Sequence, residues 1–337
     1  MKAYPTGAAA RDRFVVERRP PREVHDPWRA QGLHVEDERI ADGTIARTAT
    51  VFLTGRECPW RCVMCDLWQY TIDRDTPPGA IPAQLAAVRA ELDALGERPS
   101  QIKLYNAGSF FDSRAVPEAD YHAVADGLAN FDRIVVESHP SLVGPRTRHF
   151  LDALGAYRRS GRRPPVLEVA MGLETAHAAA LDQINKRLTV DGFVRAAGRL
   201  RQYGAALRVF LLVSPPFVPR DEQDTWMLHS VDVAIASGAT AISLIPTRAG
   251  NGALEALATE GLFIEPTLAD LERSAAAALE HIRRHGSSLR VFADLWNLDR
   301  FASCLHCLDA RRARLTKMNL EQRVHPPVAC AHCGGAS

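Results

Sequence analysis

The sequence predicts an α/β fold: a parallel sheet curled into a partial (β/α)6 TIM-like barrel, with a small Cys-rich metal-binding appendage at the C-terminus. Three observations predict it. From about residue 48 onward, short β-branched runs alternate with amphipathic helical segments six or seven times. Strands separated by helices pair in parallel through right-handed crossovers, which closes or partly closes the sheet. Beyond residue 300 the alternation stops, and closely spaced cysteine pairs and a basic stretch replace it. In such a sheet ligands collect at the C-terminal ends of the strands, so function is to be sought just after each run.

The 337 residues are 46% hydrophobic and 24% charged, too apolar for a disordered chain, and the length suits one large domain with an appendage as well as two equal domains. Lys and Arg number 41 against 40 Asp and Glu, a formal charge of +1. That balance supplies no long-range field for coating a nucleic acid, although it permits a local basic patch. No stretch approaches the roughly 20 apolar residues of a membrane-spanning helix. Met1 to Arg22 is rich in Arg and Pro without an apolar centre, so it does not read as a secretory signal. A cytoplasmic protein is expected, and its seven cysteines are candidates for metal ligation before disulfides. Residues 1–45 show little periodicity and read as an extended arm, 46–300 as the barrel, and 301–337 as a CxxC…CxxC metal-binding tail.

The runs are Ala49 to Thr54, Gln101 to Tyr105, Arg133 to Glu137, Val166 to Met171, Leu207 to Val213 and Ala241 to Ile245, with a shorter one at Leu289 to Ala293. Between the first two, Pro82 suits a first helical turn, Leu85, Val88, Leu92 and Leu95 share a face, and Gly96 closes the helix. Phe193, Leu200 and Tyr203 have helical spacing that Gly204 ends. After the sixth run, Thr267 and Asp270 form a capping box for a helix carrying Leu271, Ala275, Leu279 and Ile282, ended by Gly286.

The chemistry begins directly after the first run, in Arg56-Glu57-Cys58-Pro59-Trp60-Arg61-Cys62-Val63-Met64-Cys65-Asp66. The spacing is C-x3-C-x2-C with no fourth cysteine nearby. Three thiolates on one short loop can hold three irons of a [4Fe–4S] cluster and leave the fourth iron open. A closed structural zinc site would want a fourth ligand close by. The rival readings are three unrelated buried cysteines, or a zinc knuckle that borrows a distant histidine.

With this loop at the end of its first parallel strand, the sequence resembles the radical S-adenosylmethionine (radical SAM) enzymes. The resemblance implies that Cys58, Cys62 and Cys65 ligate the cluster and that the amino and carboxylate groups of S-adenosylmethionine chelate the open iron. It implies that one electron from the cluster cleaves the sulfonium to a 5′-deoxyadenosyl radical, which abstracts hydrogen from substrate. Met64 stands where the family usually has an aromatic residue, and a flexible thioether can fill that place.

The other strand ends extend the likeness. Asn106-Ala107-Gly108-Ser109 resembles, without its acid, the segment that binds the amino group of S-adenosylmethionine; a tight Asx-type turn is the alternative. Glu137-Ser138-His139-Pro140 resembles the Glu-x-x-Pro of the Elongator catalytic subunit, which implies a cofactor or substrate contact for Glu137, against a capped, solvated carboxylate. Gly172-Leu173-Glu174 with Ile184-Asn185-Lys186 resembles the segment whose acid meets a ribose hydroxyl and whose base reaches the methionine carboxylate. Glu174 and Lys186 would take those roles, with Arg187 competing for the second and a surface charge the plain alternative for either base. Residues 213–217 and 245–252 are expected to line adenosine and substrate, although the Gly-rich adenine segment usual on the fifth strand is absent.

These segments together, over roughly residues 48 to 310, resemble most closely the Elongator-like branch, and within it the radical subunit of archaeosine synthase and its bacterial relatives. That resemblance implies a nucleoside or transfer-RNA base as substrate, and an external one-electron donor of flavodoxin or ferredoxin type as partner. Arg311, Arg312, Arg314, Lys317 and Arg323 would allow a small RNA footprint, or form a solvated basic helix.

Cys304-Leu-His-Cys307 and Cys330-Ala-His-Cys333, with 22 residues between the pairs, supply four thiolates, and Gly334 suits the knuckle turn. They can close a tetrahedral zinc site or hold an auxiliary iron–sulfur cluster. At the level of the whole chain, the alternative is a zinc-ribbon nucleic-acid-binding protein in which all seven cysteines are structural.

Overall fold

Every expected parallel strand forms, and a helix and a strand stand where an extended arm was expected. A computed structural model of the chain describes residues 4–105, 108–156 and 163–333. The order begins α1 (Ala8–Val16), β1 (Gly32–Arg39), β2 (Ile45–Phe52), α2 (Ala80–Ala94), β3 (Gln101–Tyr105), α3 (Tyr121–Leu128) and β4 (Arg133–Glu137). It continues with α4 (Pro145–Ala156), β5 (Val166–Glu174), α5 (Ala178–Gln183), α6 (Val190–Tyr203), β6 (Ala206–Val213) and α7 (Gln223–Ala236). It closes with β7 (Ala241–Pro246), α8 (Ala253–Thr259), α9 (Leu268–Arg284), β8 (Arg290–Ala293) and α10 (Leu308–Glu321).

The sheet runs β1 to β8 in sequence order, with β1 antiparallel to β2 and all later neighbours parallel. It therefore has one parallel strand more than the six-unit barrel expected, and an antiparallel edge strand besides. The two edges, β1 and β8, both pack against α10. Alternation along each strand sorts the side chains. Ile102 and Leu104 of β3, Val169 and Met171 of β5, and Val209 and Leu211 of β6 join the apolar core under the helices. The alternate residues face the lumen. The capping box at Thr267 and Asp270 forms, with both reciprocal bonds. Leu95, expected on the buried face of its helix, is instead its exposed C-cap.

The lumen floor is ionic, and this explains why β1 escapes a pattern reading. His34, Glu36 and Glu38 point inward from β1, so the strand carries charge where a core strand carries Val or Ile. Arg208 links two buried acids, donating from Nη2 to Glu38 (2.6 Å) and from Nε to Glu168 (2.7 Å). Lys103 adds an ion pair to Glu38 at 2.5 Å and Arg133 one to Glu168 at 2.8 Å. Burial opposes ionisation of Glu38, but the Arg208 and Lys103 charges outweigh it and hold its carboxyl well below the usual range.

Candidate active site

Cys58, Cys62 and Cys65 are free thiols on the loop that leaves β2. The loop is held from behind by backbone and amide bonds. Val63 N–H donates to Ile184 O (2.9 Å), and Asn185 Nδ2 donates to Arg61 O (2.9 Å). Asn251, fully buried, donates from Nδ2 to the carbonyls of Val63 (2.7 Å) and Cys65 (3.2 Å) and accepts at Oδ1 from the first two N–H groups of α8. A second apolar core, with Val15 of α1, Val63, Leu181, Ile184 and Leu254, lies under the loop, and Met64 packs against it. Gly252 allows the N-terminal segment to cross here, because a Cβ at 252 would overlap the Arg18 carbonyl. Arg19 donates to Glu57 (2.8 Å), tying that segment to the start of the loop. Burial pushes the free Cys58 thiol up to about 11 and Cys62 to about 12, and Cys65 rises well above its ordinary value. These sulfurs are too enclosed to serve as free thiolates, and a bound cation is what would ionise them.

Beside the thiols stands a buried ion pair, Lys186 with Glu174. Gly172 makes room for it: a Cβ there would overlap both Glu174 Oε1 and Lys186 Nζ. A register shift between Gly172 and Glu174, with Glu174 at φ 67°, turns the carboxylate inward at the end of β5. Glu137, at the end of β4, has its carboxyl pushed up to about 8, by burial first, against the pull of Lys186. His139 Nε2–H donates to Lys186 O (3.0 Å), and its ring stacks on Trp60 at 3.7 Å and 9°. Burial and the Lys186 charge lower its pKa to about 3, so it is neutral.

The structure thus gathers Glu137, Glu174 and Lys186 around the three thiols. Arg187 points away and pairs with Asp12 of α1, so only Lys186 of the two competing bases faces the site. Ser109 is buried and its hydroxyl accepts from His139 N–H (2.9 Å), which joins the ends of β3 and β4; Gly108 is buried beside it. Asn106 lies outside the described residues. Phe217, expected to line the ligand, packs on Tyr4 at 4.8 Å in the second core. Trp60 and Asn185 escaped the sequence reading as parts of the site, because nothing local marks a residue whose partner is distant in the chain.

At the C-terminus the ligand atoms of Cys304, Cys307, Cys330 and Cys333 all lie within 4.8 Å of one another, with Cys304 and Cys330 sulfurs 4.0 Å apart. Cys58, Cys62 and Cys65 form no such compact group. The His306 and His332 rings of the two knuckles stack at 3.8 Å. Backbone N–H groups of Cys333 and His332 draw the Cys330 thiol down to about 7. The basic stretch that would allow a small RNA footprint or form a solvated helix divides between buried and exposed ion pairs. Arg311 and Arg314 pair with buried Glu272, Arg312 pairs with Asp309, and Arg323 and Lys317 pair with Glu321. No helix among the described residues is long and apolar enough to cross a membrane.

No protein-family model matches the chain. It is 27% identical over 281 residues to archaeosine synthase subunit beta of Methanosarcina acetivorans, which covers 80% of this chain and 76% of the relative. The protein of the same name from Thermococcus kodakarensis is 31% identical over 126 residues, 36% of this chain and 37% of its own. Among solved structures, the archaeal Elp3 of Methanocaldococcus infernus aligns at a TM-score of 0.54 and 12% identity over 80% of this chain and 63% of its own. Methylornithine synthase aligns at 0.51 and 11% identity over 82% and 70%. These structural likenesses are likenesses of fold. The sequence relationship to archaeosine synthase subunit beta, the fold shared with Elp3 and methylornithine synthase, and the three-cysteine loop after the first parallel strand together support an enzyme of the radical S-adenosylmethionine type.

Proposed function

We propose that the chain generates a radical from S-adenosylmethionine and uses it to take hydrogen from a nucleoside or RNA base. One juxtaposition carries the reading: three largely enclosed thiols on a single loop beside a buried Lys186–Glu174 pair at the same end of the barrel. The donor set fits a [4Fe–4S] cluster, because three soft thiolates hold three irons and leave one open. Bound and reduced, that cluster supplies the electron that cleaves S-adenosylmethionine to a 5′-deoxyadenosyl radical. Lys186, fixed by Glu174 and by the gap at Gly172, offers the charge for the methionine carboxylate. Glu137 stays largely protonated at neutral pH and can donate to a ribose hydroxyl or ring nitrogen. Ser109 and Gly108 shape the wall between them, and the stacked Trp60 and His139 shield it from water. A flavodoxin- or ferredoxin-type protein is the electron source in this scheme.

The C-terminal four fit a different occupant. A tetrahedral ion with sulfur ligands at about 2.3 Å sets its sulfurs about 3.8 Å apart. Sulfurs all within 4.8 Å suit one zinc ion better than an iron–sulfur cube. The alternative of a nucleic-acid-binding zinc ribbon would need the basic helix as its binding face, and two of its arginines, Arg311 and Arg314, are enclosed against Glu272.

Anaerobically reconstituted protein should hold about four irons and one zinc per chain. The C58A/C62A/C65A variant should lose the iron, keep the zinc and form no 5′-deoxyadenosine. Continued formation of 5′-deoxyadenosine by that variant would falsify the assignment. About eight irons with no zinc would overturn the zinc assignment alone.

A further inference from the structure

At the mouth of the lumen, opposite the Lys186 pair, the loop after β8 carries Trp296, 43% exposed. Its ring meets His34 of β1 at 5.1 Å and 67°, and Phe52 of β2 at 5.2 Å and 86°. Both partners are lumen-facing residues, so Trp296 roofs the seam between the sheet's edges on the side that opens to the cysteine loop. The lumen wall below is aromatic: Tyr105 and Phe210, each partly open, meet edge to face at 5.8 Å. An indole this open, braced at two edges and facing an aromatic wall, is not accounted for by packing.

Beside it lies an arginine whose hydrogen bonding is incomplete. Arg248, just beyond β7, pairs through Nη2 with Asp294 and donates to the Trp296 carbonyl (3.0 Å), and its guanidinium lies 5.7 Å over the Phe301 ring. Its Nε–H is buried yet finds no acceptor among the described residues. A buried donor of this kind costs free energy unless something accepts from it. Asp66, the residue after Cys65, is a close electrostatic neighbour of Arg248. The mouth therefore joins an open aromatic face to an arginine that fixes the loop carrying it, next to the loop that would carry the cluster.

We infer that Trp296 is the stacking surface for a planar heteroaromatic substrate and that Arg248, bridging Asp294 and the Trp296 carbonyl, is the positioning residue that fixes the loop bearing it. The inference rests on the radical S-adenosylmethionine reading and names the residues that select the substrate there. The loop bearing Trp296 is anchored at both ends, by β8 before it and by Cys304 of the four-thiol group shortly after. A fixed platform suits rigid, flat ligands, because little freedom is lost on binding.

The test measures quenching of tryptophan fluorescence in reconstituted protein on titration with guanosine and with an unmodified transfer-RNA transcript, with ribose as the non-aromatic control. The wild type should bind at least one of the two and ignore ribose. W296L, similar in apolar bulk but without a π-face, should weaken that binding about tenfold or more, and W296F should recover most of it. For W296L and W296F, binding is read by equilibrium dialysis and folding by circular dichroism. Undiminished affinity in folded W296L, or a wild type that cleaves S-adenosylmethionine yet binds neither probe, overturns the inference and leaves the radical reading standing. A reconstituted wild type that never forms 5′-deoxyadenosine defeats the radical reading, whatever the nucleoside titrations give.

Discussion

Lys186 shows how much a single position depends on its surroundings. On the chain it is one of two adjacent bases; in the fold it is enclosed against Glu174 above the empty side of Gly172, while Arg187 reaches out to Asp12. Removing one partner of such a pair leaves a buried charge unmatched, which costs about 3–5 kcal/mol, whereas replacing both with apolar residues costs far less. K186M should therefore lower the urea midpoint strongly, and K186M/E174L should recover most of the loss. Both variants should fail to retain S-adenosylmethionine in equilibrium dialysis, which separates the stability role from the binding role. Equal destabilisation of the single and double variants would show that unmatched charge is not the cause. The site residues legible in advance, the three cysteines above all, belong to short motifs. Trp60 against His139 and Asn251 against the cysteine loop are contacts between distant segments, and no spacing records them.

Among the elements, α10 has a role that its composition hides. Read as sequence it is a basic stretch; folded, it supplies the edge that β8 lacks. Gln322 accepts from Val291 N–H (2.7 Å) and donates to Val291 O (2.8 Å), while Asn319 accepts from Ala293 N–H (2.8 Å) and donates to Ala293 O (2.9 Å). Two side-chain amides thus stand in for a ninth strand and satisfy an edge that would otherwise invite pairing. N319A/Q322A should strip the partners from four backbone groups and cost about 1–3 kcal/mol for each that stays buried. Amide hydrogen exchange at Val291 and Ala293 should accelerate while exchange in β5 and β6 falls only with global stability. Unchanged protection at those two amides would remove α10 from this role. The capped helix α9 was readable because Thr267 and Asp270 are three residues apart; the α10 edge was not, because its partners lie 26 and 31 residues away.

For the whole molecule, the lumen divides into an ionic floor and a mouth that bears the three-cysteine loop. Glu38 and Glu168 are both held below the usual carboxylate range, because the charges of Arg208 and its neighbours outweigh the cost of burial. A carboxylate depressed in the folded state stabilises it fully above the unfolded pKa, about 4.3, and that stability is lost as pH falls toward the folded value. Urea unfolding of the wild type should weaken steeply below about pH 5. E38Q should lower stability near neutral pH, since it leaves Arg208 and Lys103 short of a counter-charge, and should flatten the acid slope. A slope as steep as that of the wild type would mean the acid sensitivity arises elsewhere.

The sequence alone determined the succession of parallel strands, the three-cysteine loop after the first of them, and the paired cysteines at the far end. Each is written in neighbouring residues, as a period of two or 3.6 or as a fixed thiol spacing. The tertiary structure decided what those patterns could not hold. It recruits His34, Glu36 and Glu38 into an inward-facing edge strand, chooses Lys186 over Arg187, and spends Arg311 and Arg314 of α10 on Glu272. It also sets an exposed indole over the mouth of the lumen. The reason is physical: periodicity is local, whereas the burial of a charge depends on which distant partner the closed sheet brings to meet it.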